Sequence, residues 1–333
     1  MNDVRDIVSN VKNGNLKPIY FLMGEEGYYI DKISDFIEEN VLDEAEKGFN
    51  QQVMYGRDVT IDDIISAAKR YPMMAEKQVI IVKEAQDLSR SIEKLVLYAE
   101  NPTPSTVLVF NYKYKKLDKR KKLHKAIAKS GLIYESKKLY ENQVADWIVK
   151  VLRGKNYKIE PKAAQMLVEF LGTDLSKISN ELDKLMLILP KESIITDIHI
   201  EENIGISKDF NNFELRKALG KKDIVKANRI INYFAENPKS NPLVMTISLL
   251  NSFFTQLLMF HGLKDKSKNA VSKAIGVNPY FVDEYFLAAK NYPMRKVAQV
   301  IATLRAADIK SKGVGANQTQ KDILKELLFS ILH

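Results

Sequence analysis

The chain has 333 residues, which is longer than one ordinary core supports and predicts two or three domains. It contains no cysteine, and this excludes disulfides, cysteine-ligated zinc and thiol nucleophiles. The balance of 51 Lys+Arg against 42 Asp+Glu gives a net charge of +9, which permits contact with a polyanion without requiring one.

Other residue types also argue against a metal site and a membrane protein. The four histidines, at positions 124, 199, 261 and 333, are scattered and show no metal-ligand spacing. The first residues, MNDVRDIVSNVKNG, contain no apolar signal region, and no segment is expected to reach the ~18 apolar residues of a membrane span. We therefore expect a cytoplasmic protein without a membrane partner, a metal or a cofactor.

Five short apolar runs rich in β-formers predict a parallel sheet. They are PIYFLM from Pro18, FNQQVMY from Phe49, QVIIV from Gln78, STVLVF from Ser105 and GLIY from Gly131. Helix-patterned segments separate them, as in βαβ units. One of these, TIDDIISAAKRY, has Thr60 as N-cap and Asp63 at the capping-box position.

After about residue 140 the strand pattern stops and amphipathic helices follow. One of them begins with Pro161, a residue well suited to a first helical turn. The pattern predicts an α/β domain over residues 1–140, a small helical domain over 141–208 and an all-helical domain over 209–333. The fold class is α/β plus all-α.

The first strand leads into a glycine and a helix, as a phosphate-binding loop does. Such a loop has the pattern G-x-x-x-x-G-K-[ST], in which backbone N–H groups and the lysine hold phosphates and the hydroxyl binds magnesium. Counted from Gly24, the second glycine, the lysine and the hydroxyl residue are replaced by Tyr29, Ile30 and Asp31. Glu25 and Glu26 add negative charge where a triphosphate would lie. The sequence therefore predicts the strand–loop–helix architecture of a nucleotide site, but it lacks the residues that would bind the phosphates and magnesium.

A basic segment, YKYKKLDKRKKLHKAIAK at 112–129, allows two interpretations. Its cations could neutralise nucleic-acid phosphates, with Tyr112 and Tyr114 stacking on bases. Alternatively, the cations form the solvated face of a helix that covers the sheet through Leu117, Leu123 and Ile127. The candidate DNA contacts are Lys113, Lys115, Lys116, Lys119, Arg120, Lys121 and Lys122.

Several stretches, in order along the whole chain, resemble the bacterial DNA polymerase III delta subunit, in the clamp-loader branch of the AAA+ proteins. They are PIYFLMGEEGYYIDK, RYPMMAEKQVIIVKEAQDL, KLDKRKKLHKAI, NELDKL, FNNFELRKAL, AADIKSKG and KELLFSIL. None is a strong motif alone, and the match depends on their collinear order. The resemblance implies an AAA+-like parallel-sheet domain, a small helical lid domain and a helical C-terminal collar domain that joins the subunits.

The resemblance also implies a function. Family members without ATPase activity bind the ring-shaped sliding clamp of the polymerase holoenzyme and open it for loading onto primed DNA. They work inside a hetero-pentamer of clamp-loader subunits that embraces primer-template DNA. The clamp is gripped by two large apolar residues, which correspond here to Met73 and Met74, within a clamp-binding segment formed by Tyr71, Pro72, Met73, Met74 and Ala75.

The residues of that segment allow a weaker conclusion by themselves. Pro72 disfavours helix at Tyr71, so Met73 and Met74 are expected in a connection before the third strand. Methionine suits adaptable binding surfaces, but both side chains could instead cap the sheet edge. No sequence pattern indicates catalytic residues. A residual nucleotide-binding protein and a nucleic-acid-binding protein acting through 112–129 remain alternatives to the clamp-opening subunit.

Overall fold

The computed structural model describes residues 4–205, 207, 209–314 and 318–333. The chain forms two compact units, one that extends to Leu139 and one that begins at Tyr140. The further division of the second unit at residue 208 stays a prediction, and Lys208 itself lies outside the described residues.

The first unit contains a five-stranded sheet in which every strand pairing is parallel. The strand order is β2-β3-β4-β1-β5. The predicted α/β class is confirmed, and each of the five predicted runs overlaps a strand. One boundary was wrong, because Phe49 and Asn50 end a helix instead of beginning β2. The strands are β1 (Ile19–Gly24), β2 (Gln51–Tyr55), β3 (Gln78–Lys83), β4 (Thr106–Lys113) and β5 (Leu132–Ser136).

Helices cover both faces of this sheet, and this explains the continuous apolar runs of its central strands. Phe21 and Met23 of β1 belong to one core cluster, while Tyr20 and Leu22 belong to another. The helices are α1 (Val4–Lys12), α2 (Gly27–Asn40), α3 (Glu44–Asn50), α4 (Ile61–Ala68), α5 (Val96–Glu100) and α6 (Lys122–Ser130), with 3-10 turns at Ala85–Leu88 and Ile92–Leu95.

The second unit is mostly helical, as the sequence predicts. The expectation that no strands follow residue 140 was wrong in one place, since Lys158–Ile159 (β6) and Ile194–Ile195 (β7) form a short parallel pair. Pro161 lies in the first turn of its helix, as predicted. The helices are α7 (Glu141–Gly154), α8 (Pro161–Leu171), α9 (Leu175–Ile188), α10 (Asp197–Ile204), α11 (Asn212–Lys221), α12 (Ile224–Glu236), α13 (Leu243–Gly262), α14 (Lys268–Ile275), α15 (Val282–Asn291), α16 (Met294–Ser311) and α17 (Gln320–Leu332), with a 3-10 turn at Pro279–Phe281.

Helix α13 corrects the expectation that no segment reaches the length of a membrane span. It has 20 residues and contains an 18-residue window with a mean hydropathy of 1.7, so length and composition alone would let it cross a bilayer. Its buried residues, among them Ile247, Leu250 and Phe254, belong to the core cluster of the helical unit. One face of the helix therefore packs into the core of this unit, as an apolar helix of a folded domain does.

Candidate functional site

The candidate site is the connection between α4 and β3, residues 69–77, which we call the dimethionine loop. Helix α4 begins at the capping box of Thr60 and Asp63 that the sequence predicts. It ends at Ala68, whose carbonyl oxygen accepts a hydrogen bond from Thr106 Oγ1 at 2.8 Å. Because this helix end is tied to β4, the loop leaves the sheet from a fixed point.

A second tie lies at the other end of the loop. Gln78 is the first residue of β3 and is 8% exposed. Its side-chain amide donates hydrogen bonds to the carbonyl oxygen of Arg70 and to Thr106 Oγ1. Both ends of the loop are therefore held by buried polar contacts.

A third tie holds the middle of the loop. The Asn50 side chain, which is 5% exposed, meets the backbone of Met73. Its Oδ1 accepts from the Met73 N–H at 2.6 Å, and its Nδ2 donates to the Met73 carbonyl oxygen at 2.9 Å. One side chain thus satisfies both polar groups of one loop residue.

The loop presents large apolar side chains to solvent. Tyr71, Met73 and Met74 are 83%, 63% and 104% exposed, whereas Pro72 and Ala75 are partly buried. Met74 has a φ of +54°, an uncommon conformation for a residue with a side chain. The alternative in which both methionines cap the sheet edge is wrong, because neither side chain is buried.

In the loop after β1, where the sequence predicts the architecture of a phosphate loop, the backbone N–H donors already have partners. The N–H of Gly24 donates to the Lys115 carbonyl oxygen, and the N–H of Glu25 donates to the Ser136 carbonyl oxygen. The N–H of Glu26 donates to Ser136 Oγ at 3.1 Å. Backbone N–H groups of this kind cradle phosphates in a nucleotide site, and here they bind protein oxygens.

The helix that follows is capped by its own acid. Glu26 is the N-cap of α2, and its carboxylate accepts a hydrogen bond from the N–H of Tyr28 at 3.2 Å. Glu26 is 8% exposed. The helix N-terminus, which attracts anions, therefore already holds a carboxylate.

The predicted basic segment is not one helix. Lys113 ends β4, a loop follows, and α6 begins only at Lys122. The proposed stacking of Tyr112 on bases is wrong, because Tyr112 is 4% exposed and packs against Phe21 with a ring separation of 5.3 Å. Tyr114 is 70% exposed.

Acidic residues outside the segment pair with four of its nine cations, Lys113, Lys116, Lys119 and Lys121. Lys113 contacts Asp31 at 3.0 Å and Glu84 at 2.7 Å. Burial acts to raise the pKa of Glu84, but hydrogen bonds from Lys113 and Gln86 and the Lys113 charge outweigh burial and lower it. The Lys113 pKa is raised, because its hydrogen bonds to Glu84 and Asp31 outweigh the desolvation that would lower it.

The exposed cations have similar partners. Lys116 pairs with Glu135 at 3.1 Å, and its hydrogen bond is the main cause of the lowered pKa of Glu135. The remaining contacts are Lys116–Glu25, Lys119–Glu135, Arg120–Asp118, Lys121–Glu93 and Lys115 Nζ to Ser89 Oγ. Lys122 has no acidic partner in the part of the chain that the structure describes. These pairs agree better with a solvated charged face than with a cationic groove.

Sequence reasoning missed Asn50 and Gln78, the two side chains that fix the dimethionine loop. The sequence pattern predicts Asn50 within a strand and Gln78 as the ordinary first residue of one. Their partners lie 23 residues away for Asn50, and 8 and 28 residues away for Gln78. Only a polar residue beside an apolar run hints at such contacts, and this signal is weak. Among the described residues, no cluster of three or more His, Asp or Glu is placed to hold a metal ion.

Almost all of this chain shares its fold with a solved clamp-loader component. The Bacillus subtilis DNA clamp loader delta protein superposes with a TM-score of 0.54 at 24% identity, covering 99% of each chain. The fold is therefore the parallel sheet plus helical arrangement of a clamp-loader delta protein.

Sequence comparisons give the family. The model of "DNA polymerase III, delta subunit" matches residues 20–137, and that of its C-terminal domain matches residues 209–331. The DNA polymerase III subunit delta of Bacillus subtilis is 25% identical over 97% of this chain and 95% of its own length. A probable DNA polymerase III subunit delta of Aquifex aeolicus is 22% identical over 88% of this chain and 86% of its own length. The chain belongs to the DNA polymerase III delta subunit family.

Proposed function

We propose that this chain is a cytoplasmic clamp-loader subunit that binds the polymerase sliding clamp and opens its ring for loading onto primed DNA. It acts with other clamp-loader subunits in a hetero-pentamer and does not hydrolyse ATP itself. The observation that carries the proposal is the dimethionine loop. Its Met73 and Met74 side chains face solvent, while hydrogen bonds hold its backbone at both ends and at Met73.

The exposure of these side chains supports a binding role. Large apolar side chains cost free energy when they remain in water, and burying them against a partner recovers it. Neighbouring exposed methionine side chains form an adaptable apolar contact. A pocket on the clamp that takes both would make them a hot spot, worth about 2 to 4 kcal/mol on truncation.

Ring opening follows from differential affinity. A ligand shifts a conformational equilibrium only when it binds one state better than the other. In the proposed mechanism, the loop Tyr71–Ala75 binds a clamp pocket beside the ring interface more tightly in the open ring. ATP bound by sibling subunits makes the α/β domain available for this contact.

The first alternative, residual nucleotide binding, is disfavoured by the occupied donors of Gly24, Glu25 and Glu26. The second, nucleic-acid binding through residues 112–129, is disfavoured by the acidic partners of Lys113, Lys116 and Arg120. Contact with primer-template DNA is therefore proposed for the assembled loader and not for the isolated chain.

The test replaces both methionines with serine and measures binding to the sliding clamp of the same organism by surface plasmon resonance. We expect Met73→Ser with Met74→Ser to weaken binding by about 30-fold or more while the unfolding midpoint stays unchanged. Leu97→Ser is the matched control, because Leu97 lies in the same unit and is 78% exposed.

The control should bind the clamp as the wild type does. Wild-type affinity in the double-serine variant would refute the assignment of the site. A parallel titration of ATP with Mg²⁺ addresses the nucleotide alternative, since micromolar binding would favour that function instead.

A further inference from the structure

We propose that Asn50 is a positioning residue for clamp binding, and that it holds the dimethionine loop in its binding-competent conformation. This inference rests on the proposed function, and it assigns a role to a residue outside the segment Tyr71–Ala75. The geometry that carries it is the pair of hydrogen bonds between the Asn50 amide and the Met73 backbone, at 2.6 and 2.9 Å.

The loop depends on Asn50 for its order. In the described part of the chain, the backbone of residues 71–77 makes hydrogen bonds only through Met73, and both go to Asn50. Met74 is in the left-handed region with a φ of +54°, which a free chain rarely adopts at methionine. Such a conformation persists only where neighbouring contacts determine it.

Asn50 is itself firmly held. It is the last residue of α3, a helix that begins with a capping box formed by Asp43 and Glu46. Its Nδ2 also donates to the Glu46 carbonyl oxygen at 3.1 Å, one turn earlier. Because the side chain is buried and bonded to its own helix, it fixes the position of Met73 relative to α3.

The chemistry requires an amide at this position. The Met73 N–H needs an acceptor and the Met73 carbonyl oxygen needs a donor, and a short carboxamide offers both from one planar group. Aspartate has the same shape but no donor when ionised, and it would place a carboxylate oxygen against the Met73 carbonyl oxygen. Asn50→Asp therefore keeps the shape of the side chain, but it should not hold the Met73 backbone.

Loss of this anchor lowers the fraction of molecules whose loop is ready to bind. The apparent dissociation constant rises in inverse proportion to that fraction. We expect Asn50→Ala and Asn50→Asp each to weaken clamp binding by about tenfold.

The decisive experiment is a double-mutant cycle. Asn50→Ala is made in the wild-type chain and in the chain with Met73→Ser and Met74→Ser, and clamp affinity is measured for all four proteins. A positioning residue has its effect only while the methionines are present, so Asn50→Ala should add nothing in the serine chain. An additional tenfold loss there, or unchanged affinity in the wild-type chain, would overturn the proposal.

The matched control is Asn40→Ala. Asn40 lies at the end of α2, and its side-chain amide donates to the Phe36 carbonyl oxygen at 2.9 Å. This contact is equivalent to the one between Asn50 and Glu46, but it does not involve the dimethionine loop. Asn40→Ala should leave clamp affinity unchanged. If Asn40→Ala weakened clamp binding as much as Asn50→Ala does, the effect of Asn50→Ala would be explained by general helix destabilisation.

Hydrogen exchange provides a readout that needs no clamp. The Met73 amide should exchange slowly in the wild type and at least about tenfold faster in Asn50→Ala, with no change in Asn40→Ala. If the serine pair weakens clamp binding and Asn50→Ala does not, the inference fails while the proposed function stands. If the serine pair binds normally, the proposed function fails and the binding role of Asn50 fails with it.

Discussion

The α-carbon of Gly24 lies directly against Ser136, so closely that a Cβ on Gly24 would stand 2.2 Å from the Ser136 carbonyl oxygen. Gly24 also has a φ of +126°, a region that residues with a side chain rarely adopt. The end of β5 therefore packs against the start of the loop after β1, where Ser136 also accepts from the N–H groups of Glu25 and Glu26.

Gly24→Ala should destabilise the protein strongly, because it adds steric overlap with backbone atoms to an unfavourable φ. We expect a loss of about 3 kcal/mol or more in the free energy of unfolding, measured by urea denaturation. Gly48→Ala is the matched control, since Gly48 lies inside α3 with nothing near its Cβ position. It should raise stability by about 0.5 to 1 kcal/mol. Equal effects of the two substitutions would contradict the close packing at Gly24.

Lys113→Met should lower stability most near neutral pH. The side chain of Lys113 is 14% exposed and pairs with Asp31 and Glu84, which would lose their cation. The Glu84 pKa is lowered from 4.5, so its contribution is present above that value and is lost as the pH falls below it. The Lys113 pKa is raised from 10.5, so its contribution is present below that value and is lost as the pH rises above it.

The difference in unfolding free energy between wild type and Lys113→Met should therefore be about 1 kcal/mol near pH 7, after allowance for solvent screening of the partly exposed acids. It should shrink toward pH 4 and below. Lys122→Met is the control, because Lys122 is exposed, and it should show almost no effect at any pH. A Lys113→Met effect that grew as the pH fell would contradict this ion pair.

The isolated chain should bind DNA weakly, because Lys116, Arg120 and Lys121 of the basic segment already pair with Glu135, Asp118 and Glu93, respectively. We expect dissociation constants of about 10⁻⁴ to 10⁻⁶ M for primed DNA, with a steep loss between about 50 and 200 mM salt. Fluorescence anisotropy measures both. Tight binding that is independent of salt would support the nucleic-acid alternative.

The periodic parts of the fold were predictable because they depend on local pattern. The β runs from Pro18 to Gly131 and the capping box of Thr60 and Asp63 appear where the sequence indicates them. Errors occurred where tertiary contacts override the local pattern. Phe49 and Asn50 end a helix although they precede a β run, and Tyr112 is buried although it begins a basic segment.

The dimethionine loop, too, was predictable only in part from the sequence. Pro72 predicts that Met73 and Met74 lie in a connection, but the sequence leaves open whether they face solvent or the sheet edge. Only the folded chain decides this, since it brings Asn50 to the Met73 backbone.

The sequence by itself determined the alternation of strands and helices, the family, and the loss of lysine and hydroxyl from the loop after β1. These properties depend on residue type and on spacing within one element. The tertiary structure decided that Ser136 binds the N–H groups of that loop, that acids pair with several cations of the basic segment, and that Asn50 binds the backbone of Met73 while Met73 and Met74 face solvent. Each of these joins residues far apart in sequence, and side-chain hydrogen bonds and ion pairs of that range leave no periodic trace in a single chain.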